Sequence, residues 1–438
     1  MIDIELIRRE PKKIATAVAH KGFNLDTAKI ITLDEARRKL KTQIDELRAE
    51  RNQLSIDEAK LRGAELKHQL HGLEEQFAAL DTEYQQLIRT IPNLPTDDTP
   101  VGKDESENQV IKTVGKQPQF NFTPREHWEL GDELGLIDNQ TAAAVSGARF
   151  TYLKGRLVQL QFALIQYALS ILTNPATLEM IRQEAQLPDS VSDKPFVPII
   201  PPVMIRPEVF EKMARLEPKD ERYHIPSDDL YLVGSAEHTL GPIHMDEILP
   251  VANLPTRYVG YSTAFRREAG TYGKDTKGIL RLHQFDKIEM ESFTDGNHSY
   301  DEHRFFVAIQ EHLMHSLGIP YQVVISCTGD LGGPNARKID IEAWLPGQNT
   351  YRETHSADYM TDYQARRLQT RVRQADGVIE TAHTNDATVF AIGRTLIAIM
   401  ENYQEADGSI RVPDVLVPLA GFTNIQRSES EDPARHIR

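Results

Sequence analysis

The feature that most restricts the fold of this chain is a heptad-like spacing of apolar residues between residues 30 and 91. The first series consists of Ile30, Leu33, Leu40, Ile44, Leu47 and Leu54. After an interruption at residues 55–63, a second series has alternating steps of four and three: Leu66, Leu70, Leu73, Phe77, Leu80, Tyr84, Leu87 and Ile91. This spacing predicts two helices that fold back into an antiparallel coiled coil. A second helix of about 28 residues would extend about 42 Å at 1.5 Å per residue, so the pair forms a projecting arm.

The predicted arm is more basic than the rest of the chain. Residues 37–67 contain nine Lys or Arg against six Asp or Glu, whereas the whole chain has a net charge of -15. The first helix and the tip can therefore meet phosphates, although a solvated coiled-coil face accounts for the same residues. Arg37 and Arg51 fall in the seam, where we expect their stems to pack and their charged ends to reach water.

Proline and glycine mark the boundaries on both sides of the arm. Pro11 suits the first turn of a short helix and Gly22 suits a helix end. Pro92 and Pro95 end the arm, and the polar segment that follows contains one candidate edge strand near Gln109–Thr113. We expect an arm domain at 1–100 with its coiled coil at about 30–91, a linker at 101–125, a second domain at 126–425 and a disordered tail at 426–438.

The second domain alternates strand-like and helical segments. Residues 154–173 read as an amphipathic helix, and the apolar segment 196–205 is interrupted by prolines, which place it at a sheet edge or an interface. Further predicted elements are a buried strand at 321–326, an alternating strand at 339–345 and a helix that runs to Asn402. This order predicts an α+β fold with an antiparallel-rich sheet and flanking helices. Neither GxGxxG after a strand nor GxxxxGK[ST] occurs.

Composition excludes several classes of protein. No run of eighteen apolar residues occurs, so we expect no membrane span, and the amino terminus lacks the apolar region of a signal peptide. The single cysteine, Cys327, excludes an internal disulfide and indicates a cytoplasmic location. The negative charge argues against a general nucleic-acid coat, but not against a partner that touches one basic surface.

The segment from Ala264 to Met290 carries the clearest chemical pattern. It reads as two strands joined by a loop rich in glycine and charge. Phe285, Lys287 and Glu289 alternate, so they share one face, and Arg266 and Glu268 can share a face of the first strand. Such a surface suits a nucleotide, with a ring to stack a base and a guanidinium to grip a phosphate. An ordinary hairpin with salt bridges explains the pattern equally well.

The order of many separate motifs identifies a family. After the coiled coil come HWELGDELGLID, DDLYLVGSAE, FRREAG, HQFDKIE, CTGDLG, DIEAWLPGQNTYRE, YQARR and a late helix headed by GR. In this order, and with IELIRREP and IPNLP around the arm, the chain resembles the seryl-tRNA synthetases, which are class II aminoacyl-tRNA synthetases. The resemblance implies activation of serine by ATP and transfer of the seryl group to the 3′ end of tRNA(Ser), with tRNA(Sec) as a further acceptor. It also implies a homodimer in which each arm reaches RNA on the opposite subunit, with residues 196–205 and the preceding helix as interface elements.

The resemblance also implies roles for individual residues. Arg266, Glu268 and Arg394 would be catalytic, with Arg266 on the α-phosphate, Glu268 on the adenine side and Arg394 on the γ-phosphate. Phe285 would stack the base and Lys287 would contact ATP. Glu353 and Ser356 would face the nucleotide and its Mg²⁺. The serine pocket would comprise Ser235, Glu237, Arg266, Glu289, Asp386 and Thr388.

Each of these residues also has a purely structural interpretation. Arg266 and Glu268 could pair across a strand, and Thr388 could be an ordinary β-branched strand residue. Lys287 could only neutralise Asp286 or Glu289. We interpret His283 as a packed, hydrogen-bonded histidine, since no second His or Cys stands at ligand spacing.

Four segments depart from the commonest family pattern. Ser235 replaces a threonine, and residues 211–225 replace a longer loop that bears glycine and lysine. Residues 354–359 replace a serine-rich stretch, and Asp386 stands in Asn-Asp-Ala-Thr where Asn-Gly-Ser/Thr is usual. We hypothesise that Asp386 tightens ammonium binding or is neutralised by a cation such as Arg394. Alternative functions are a catalytically inactive or substrate-shifted paralogue, and an enzyme that charges a carrier protein.

Overall fold

The computed structural model describes residues 1–269 and 277–427. Part of the loop in the Ala264–Met290 segment, and the predicted tail from residue 428 onwards, lie outside the described residues. The helices are α1 (Ile4–Arg9), α2 (Pro11–His20), α3 (Thr27–Gln53), α4 (Ile56–Arg89), α5 (His127–Glu133), α6 (Asn139–Ser146), α7 (Arg156–Leu172), α8 (Pro175–Glu184), α9 (Pro207–Lys212), α10 (Glu237–Leu240), α11 (Ser299–Ser316), α12 (Tyr363–Leu368), α13 (Ile392–Asn402) and α14 (Val417–Ala420). The strands are β1 (Gln109–Val114), β2 (Ile137–Asp138), β3 (Tyr152–Leu153), β4 (Val197–Ile199), β5 (Met204–Ile205), β6 (His224–Ile225), β7 (Leu230–Leu232), β8 (Ile248–Pro250), β9 (Thr256–Phe265), β10 (Gln284–Thr294), β11 (Tyr321–Ile325), β12 (Arg337–Leu345), β13 (Thr350–Thr361), β14 (Arg371–Arg373), β15 (Ile379–Thr381), β16 (His383–Ala391), β17 (Ile410–Arg411) and β18 (Asn424–Ile425).

The arm consists of α3 and α4, as the heptad spacing predicts. The interruption expected at 55–63 is wrong, because α4 begins at Ile56, directly after a turn at Leu54–Ser55. Ser55 and Glu58 form a capping box, in which the Ser55 N–H donates to Glu58 Oε2 at 2.9 Å. These reciprocal bonds satisfy donors at the helix start and allow the early beginning. The 34 residues of α4 extend about 51 Å at 1.5 Å per residue.

The seam of the coiled coil contains fully buried residues near both of its ends, and its other apolar residues are partly buried. Ile44, Leu66 and Leu70 are buried between the helices near the tip, and Ile30, Tyr84 and Ile88 near the base. Arg37 is half-buried: Nη1 lies 2.7 Å from Asp81 Oδ1, and the guanidinium lies over the Tyr84 ring at 4.4 Å. Both contacts favour a cation at this seam position.

The base of the arm is packed onto the second domain. Tyr363 of α12 joins an apolar cluster of Ile2, Ile7, Ile14, Val18, Ile30, Tyr84, Ile88 and Ile91. The Tyr363 hydroxyl donates to the Ile91 carbonyl at 2.7 Å, and Asn93 Nδ2 donates to the carbonyls of Pro334 and Met360. Lys21 donates to four carbonyls at 2.8–3.2 Å, those of Asn93, Gly332, Gly333 and Asn335.

An eight-stranded sheet forms the centre of the second domain, in the order β1-β11-β12-β13-β16-β10-β9-β4. Every pairing in it is antiparallel except that of β4 with β9. The predicted α+β fold is therefore confirmed. β1, in the predicted linker, pairs at one edge as expected, and β4, in the proline-interrupted segment, pairs at the other.

The sheet separates the main core from a polar cleft. Ile288, Met290 and Val389 point into the largest apolar cluster, which also contains residues of α7, α11 and α13. Lys287 and Glu289 alternate with those core residues and point to the opposite face. Among the described residues no single helix is long and apolar enough to cross a membrane; α7 and α8 reach that length only together, bent by 79°.

Candidate active site

The polar face of the sheet forms the floor of a cavity of about 280 Å³. Its walls come from β10, β13 and β16, from the start of α13 and from the segment between β9 and β10. The predicted site residues that line it are Glu237, Arg266, Glu268, Phe285, Lys287, Glu353, Ser356, Asp386, Thr388 and Arg394. Ser235 and Glu289 are not among the lining residues; both are buried, and a hydrogen bond joins them to each other.

The prediction that Arg266 and Glu268 share a face of one strand is wrong, because β9 ends at Phe265. Arg266 Nε donates to the Gly234 carbonyl at 3.1 Å, and its guanidinium lies 5.3 Å from the centre of the Phe285 ring. The backbone N–H of Arg266 donates to the His283 carbonyl, and His283 Nδ1–H donates to the Arg266 carbonyl at 2.9 Å. His283 is thus a hydrogen-bonded packing residue, as interpreted from the sequence.

Glu268 pairs with Arg281 and not with Arg266. Its backbone has a left-handed φ of 52°, and Oε2 lies 3.1 Å from Arg281 Nη1. A non-glycine residue in this region is unusual and commonly marks a turn or a functional site. Arg281 was not identified from the sequence, because it lies thirteen residues away across a loop.

A β-bulge decides which side chains of β13 face the cavity. Glu353 pairs with Glu342 and His355 with Ile341, so Thr354 is the extra residue. Strict alternation would put Glu353 and Ser356 on opposite faces, whereas the inserted residue puts both in the cavity lining. Asp358 follows on the same face, with Lys338 directly opposite on β12.

Arg394, the third residue of α13, lines the cavity and contacts Glu353. Its Nη1 donates to the Glu353 carbonyl at 2.8 Å and lies 3.4 Å from Oε1. Burial favours the neutral acid, but the charges of Arg394 and Lys338 outweigh it and lower the pKa of Glu353 to about 2. This part of the cavity therefore presents an ionised carboxylate between guanidinium and ammonium groups.

Glu289 is a buried carboxylate next to the cavity, between the lining residues Lys287 and Thr388. Ser235 Oγ donates to Glu289 Oε1 at 2.7 Å, and Lys287 forms an ion pair with the same oxygen. A second bulge, at Val389, places Thr388 directly opposite Glu289. Burial raises the pKa of Glu289, because it outweighs the attraction of Lys287, and Glu237 adds repulsion.

The cation beside Asp386 is Arg215, so the hypothesis that Arg394 neutralises it is wrong. Arg215 Nη2 lies 3.7 Å from Asp386 Oδ2 and 3.1 Å from Asp358 Oδ2, whereas Arg394 reaches Glu353. Arg215 and Asp358 were not singled out from the sequence. Both lie in segments that depart from the family pattern, and this departure is the feature of the sequence that could have identified them.

Comparison with known proteins gives matches over nearly the whole chain. The seryl-tRNA synthetase N-terminal domain matches residues 1–95, and the tRNA synthetase class II core domain (G, H, P, S and T) matches residues 221–403. The serine–tRNA ligase of Thermotoga neapolitana is 38% identical over 440 residues, covering 96% of this chain and 99% of that protein.

Two solved structures are similar in both sequence and fold. The seryl-tRNA synthetase of Pyrococcus horikoshii, complexed with ATP, has a TM-score of 0.87 and 36% identity, covering 98% of this chain and 100% of the other. The cytoplasmic serine–tRNA ligase of Naegleria fowleri, in complex with AMP, has a TM-score of 0.83 and 29% identity, covering 98% and 99%.

Proposed function

The chain belongs to the seryl-tRNA synthetases, and we propose that the cavity on the polar face of its large sheet is where serine and ATP react. As a serine–tRNA ligase it activates L-serine with ATP and transfers the seryl group to tRNA. The observation that carries the placement of the site is the convergence of Arg266, Glu353 and Arg394 in one cavity, where Lys287 also pairs with the buried Glu289.

ATP would occupy the end of the cavity that Arg266 and Arg394 line. The ring of Phe285 beside the Arg266 guanidinium offers a face for the adenine, with Glu268 at its edge. As the family resemblance implies, Arg266 would bind the α-phosphate and Arg394 the γ-phosphate, and Lys287, which lines the same cavity, would add a third cation.

The activation step needs no general base from the protein. The carboxylate of serine is already ionised at neutral pH, so its oxygen attacks the α-phosphorus directly. A new O–P bond forms while the bond from phosphorus to the pyrophosphate oxygen breaks. Negative charge builds on the phosphoryl oxygens, and guanidinium groups fixed in advance stabilise it without reorganisation. Holding both substrates in line supplies further acceleration.

Serine would bind above Ser235, Glu237, Glu289 and Thr388. Glu289 can accept hydrogen bonds from the hydroxyl and the ammonium of serine, and Glu237 can accept from the ammonium. An amino acid without a hydroxyl would lose its hydrogen bond to the buried Glu289. The loss of that bond penalises the wrong substrate.

Mg²⁺ would enter with ATP. Magnesium commonly binds through one or two protein oxygens together with substrate phosphates. Glu353 is an ionised carboxylate, and the Ser356 hydroxyl lines the same cavity, so both supply oxygens that fit this arrangement. Bound there, the metal ion would neutralise phosphate charge.

The arm is proposed to bind tRNA(Ser), and two copies of the chain to form the active dimer. Arg48 and Arg62 lie at exposed positions of the distal arm and support contact with phosphates. Val197 and Ile200, in and just after the edge strand β4, are exposed apolar residues that a second copy could cover. We also propose a cytoplasmic location, because the cytoplasm contains both ATP and tRNA.

Serine-dependent exchange of pyrophosphate into ATP tests the placement of the chemistry. We expect exchange with serine and much less with threonine, alanine or cysteine. Absence of exchange with every amino acid would favour an inactive paralogue, and a preference for another amino acid would favour a shifted substrate.

A truncated arm tests the role of the coiled coil. The Arg37–Asp81 pair shows which residues of the two helices face each other, so removing residues 42–76 and joining the ends by a short Gly-Ser turn retains the packed base. We expect exchange to persist and aminoacylation of tRNA to be lost. Charging that survives this deletion would show that the distal arm is only a spacer.

A further inference from the structure

Three of the four segments that depart from the family pattern meet at one point of the cavity. Arg215 comes from the replaced loop, Asp358 from β13 and Asp386 from β16. The two aspartates pair directly opposite each other across the strands. Arg215 Nη2 lies 3.1 Å from Asp358 Oδ2 and 3.7 Å from Asp386 Oδ2. One guanidinium thus faces both carboxylates.

The aspartates belong to a row of ionisable groups that crosses four strands. In register order the row is Glu291, Asp386, Asp358 and Lys338. Burial, followed by repulsion from neighbouring carboxylates, raises the pKa of Glu291 and of Asp386 well above the usual range, so negative charge in this row is costly. Neither carboxyl oxygen of Glu291 has a hydrogen-bond partner among the described residues. Arg215 is therefore the close counter-charge at the centre of the row.

Arg215 also holds Glu237, the carboxylate assigned to the substrate ammonium. Arg215 Nε lies 3.4 Å from Glu237 Oε1, and His238 Nε2 lies 3.4 Å from the same oxygen. Since both contacts use Oε1, an ammonium in the cavity would meet Oε2. Burial would raise the pKa of Glu237, but the charge of Arg215 outweighs it and keeps that pKa well below its usual range.

The backbone around Arg215 is fixed by side chains from other segments. Arg222 donates from Nε and Nη2 to the Arg215 carbonyl at 3.1 and 2.9 Å. Gln364 Nε2 donates to the Met213 carbonyl at 3.0 Å, and Arg367 Nε donates to the Lys212 carbonyl at 2.8 Å. The replaced loop is thus built to hold the guanidinium in one place.

We propose that Arg215 is a positioning residue for the amino-acid substrate. It compensates the Asp358–Asp386 pair and fixes Glu237, so that the second oxygen of Glu237 accepts the α-ammonium of serine. The three residues act as one unit, which explains why the loop and both strands depart from the family pattern together. The inference rests on the proposed function, because it takes Glu237 as the ammonium ligand.

Kinetics of serine-dependent pyrophosphate exchange by the full chain test this role. The variants are Arg215→Gln, Arg215→Lys, the triple variant R215Q/D358N/D386N, and Arg206→Gln as an exposed control just before α9. We expect Arg215→Gln to raise the KM for serine about tenfold or more, because the carboxylates lose their charged partner. The KM for ATP should stay within about twofold, and Arg215→Lys should recover part of the loss.

Comparing the triple variant with Arg215→Gln distinguishes a positioning role of Arg215 from a general effect on folding. If the three residues form one unit, the triple variant has a lower KM for serine than Arg215→Gln alone, because no uncompensated aspartates remain. An unchanged KM for serine in Arg215→Gln overturns the proposal. Equal rises in the KM values for serine and ATP, together with a lower Tm, also overturn it and make Arg215 a stabilising residue only. If the unmodified protein shows no exchange with serine, the proposed function fails instead.

Discussion

Arg394 and Glu353 are joined twice: Arg394 Nη1 donates to the Glu353 carbonyl at 2.8 Å and lies 3.4 Å from the carboxylate. The side chain of one fixes the other at the point where β13 and the start of α13 meet. Because a helix N-terminus favours negative charge, this end of the cavity combines three attractions for a polyphosphate: Arg394, Arg266 and the helix itself.

Neutralising Glu353 should weaken the use of ATP. In Glu353→Gln we expect serine-dependent exchange to fall about a hundredfold, with most of the effect on the KM for ATP or on kcat and little on the KM for serine. The amide cannot bind Mg²⁺ as the carboxylate would, and it leaves Arg394 without its charged partner. Glu380→Gln, an exposed change on β15, is the control. Exchange above half of the normal rate would contradict this assignment.

The buried pair of Arg257 and Glu302 should be a major determinant of stability. Both guanidinium–carboxylate contacts are close, at 2.6 and 2.7 Å, and both side chains are almost fully buried. Glu302→Gln would leave a buried cation uncompensated, so we expect the free energy of unfolding to fall by about 3–5 kcal/mol. Chemical denaturation measures this loss.

The exposed pair on the same helix provides the comparison. Asp301 and Arg304 form an ion pair at the surface of α11. Asp301→Asn should change the free energy of unfolding by less than about 1 kcal/mol, because surface pairs contribute little. Similar losses in both variants would show that burial is not what matters here.

His303 should make the protein less stable in acid. Its Nε2–H donates to the Ala357 carbonyl at 3.0 Å, while Arg337 Nη1 donates to Nδ1 at 3.3 Å. Burial, followed by the charge of Arg337, lowers the pKa of His303 to about 3. The unfolded chain, whose histidines have a pKa near 6.5, therefore binds more protons than the folded protein between pH 6.5 and 3.

The sign of the pH effect follows from that difference. Stability rises with pH across this window, so lowering the pH from 7 to 5 should remove up to about 2 kcal/mol through His303. His303→Gln should be less stable at pH 7 but lose less on acidification, while the exposed change His68→Gln should behave as the unmodified protein. An identical pH dependence in all three proteins would exclude His303 as a contributor.

Lys21 should fix the arm to the second domain. Its ammonium is almost fully buried and donates to four carbonyls, three of them in residues 332–335. Lys21→Met would leave those carbonyls without their charged donor, at a cost of about 1–3 kcal/mol or more. We expect a lower Tm and faster proteolysis near residues 332–335, whereas exposed Lys12→Met should change neither. Unchanged proteolysis of Lys21→Met would contradict this role.

Sequence periodicity predicted features that depend on local spacing. The heptads predicted α3 and α4, and alternation correctly placed Phe285, Lys287 and Glu289 on one face. The predicted position of the turn between the two arm helices was wrong because Gly63 was interpreted as part of a break between them. The Ser55–Glu58 capping box was the signal for the correct helix start.

The remaining errors concern features that no local pattern records. The bulge at Thr354 changes which residues of β13 face the cavity, and nothing in the alternation of that strand indicates an inserted residue. Arg281 and Arg215 reach their partners across loops, so only the folded backbone shows which carboxylate each one meets. The sequence also does not show that Asp358 and Asp386 lie opposite each other in the sheet, because they are 28 residues apart in the chain.

The regular antiparallel seam also determines how the length of the arm can change. Inserting seven residues into α3 and seven at the matching height of α4 would move the tip outward by about 10 Å while presenting the same side to solvent. Inserting three or four would instead swing the tip around the axis. Relatives that serve adaptor RNAs of different dimensions could therefore adjust reach by whole heptads and leave the distant chemistry untouched.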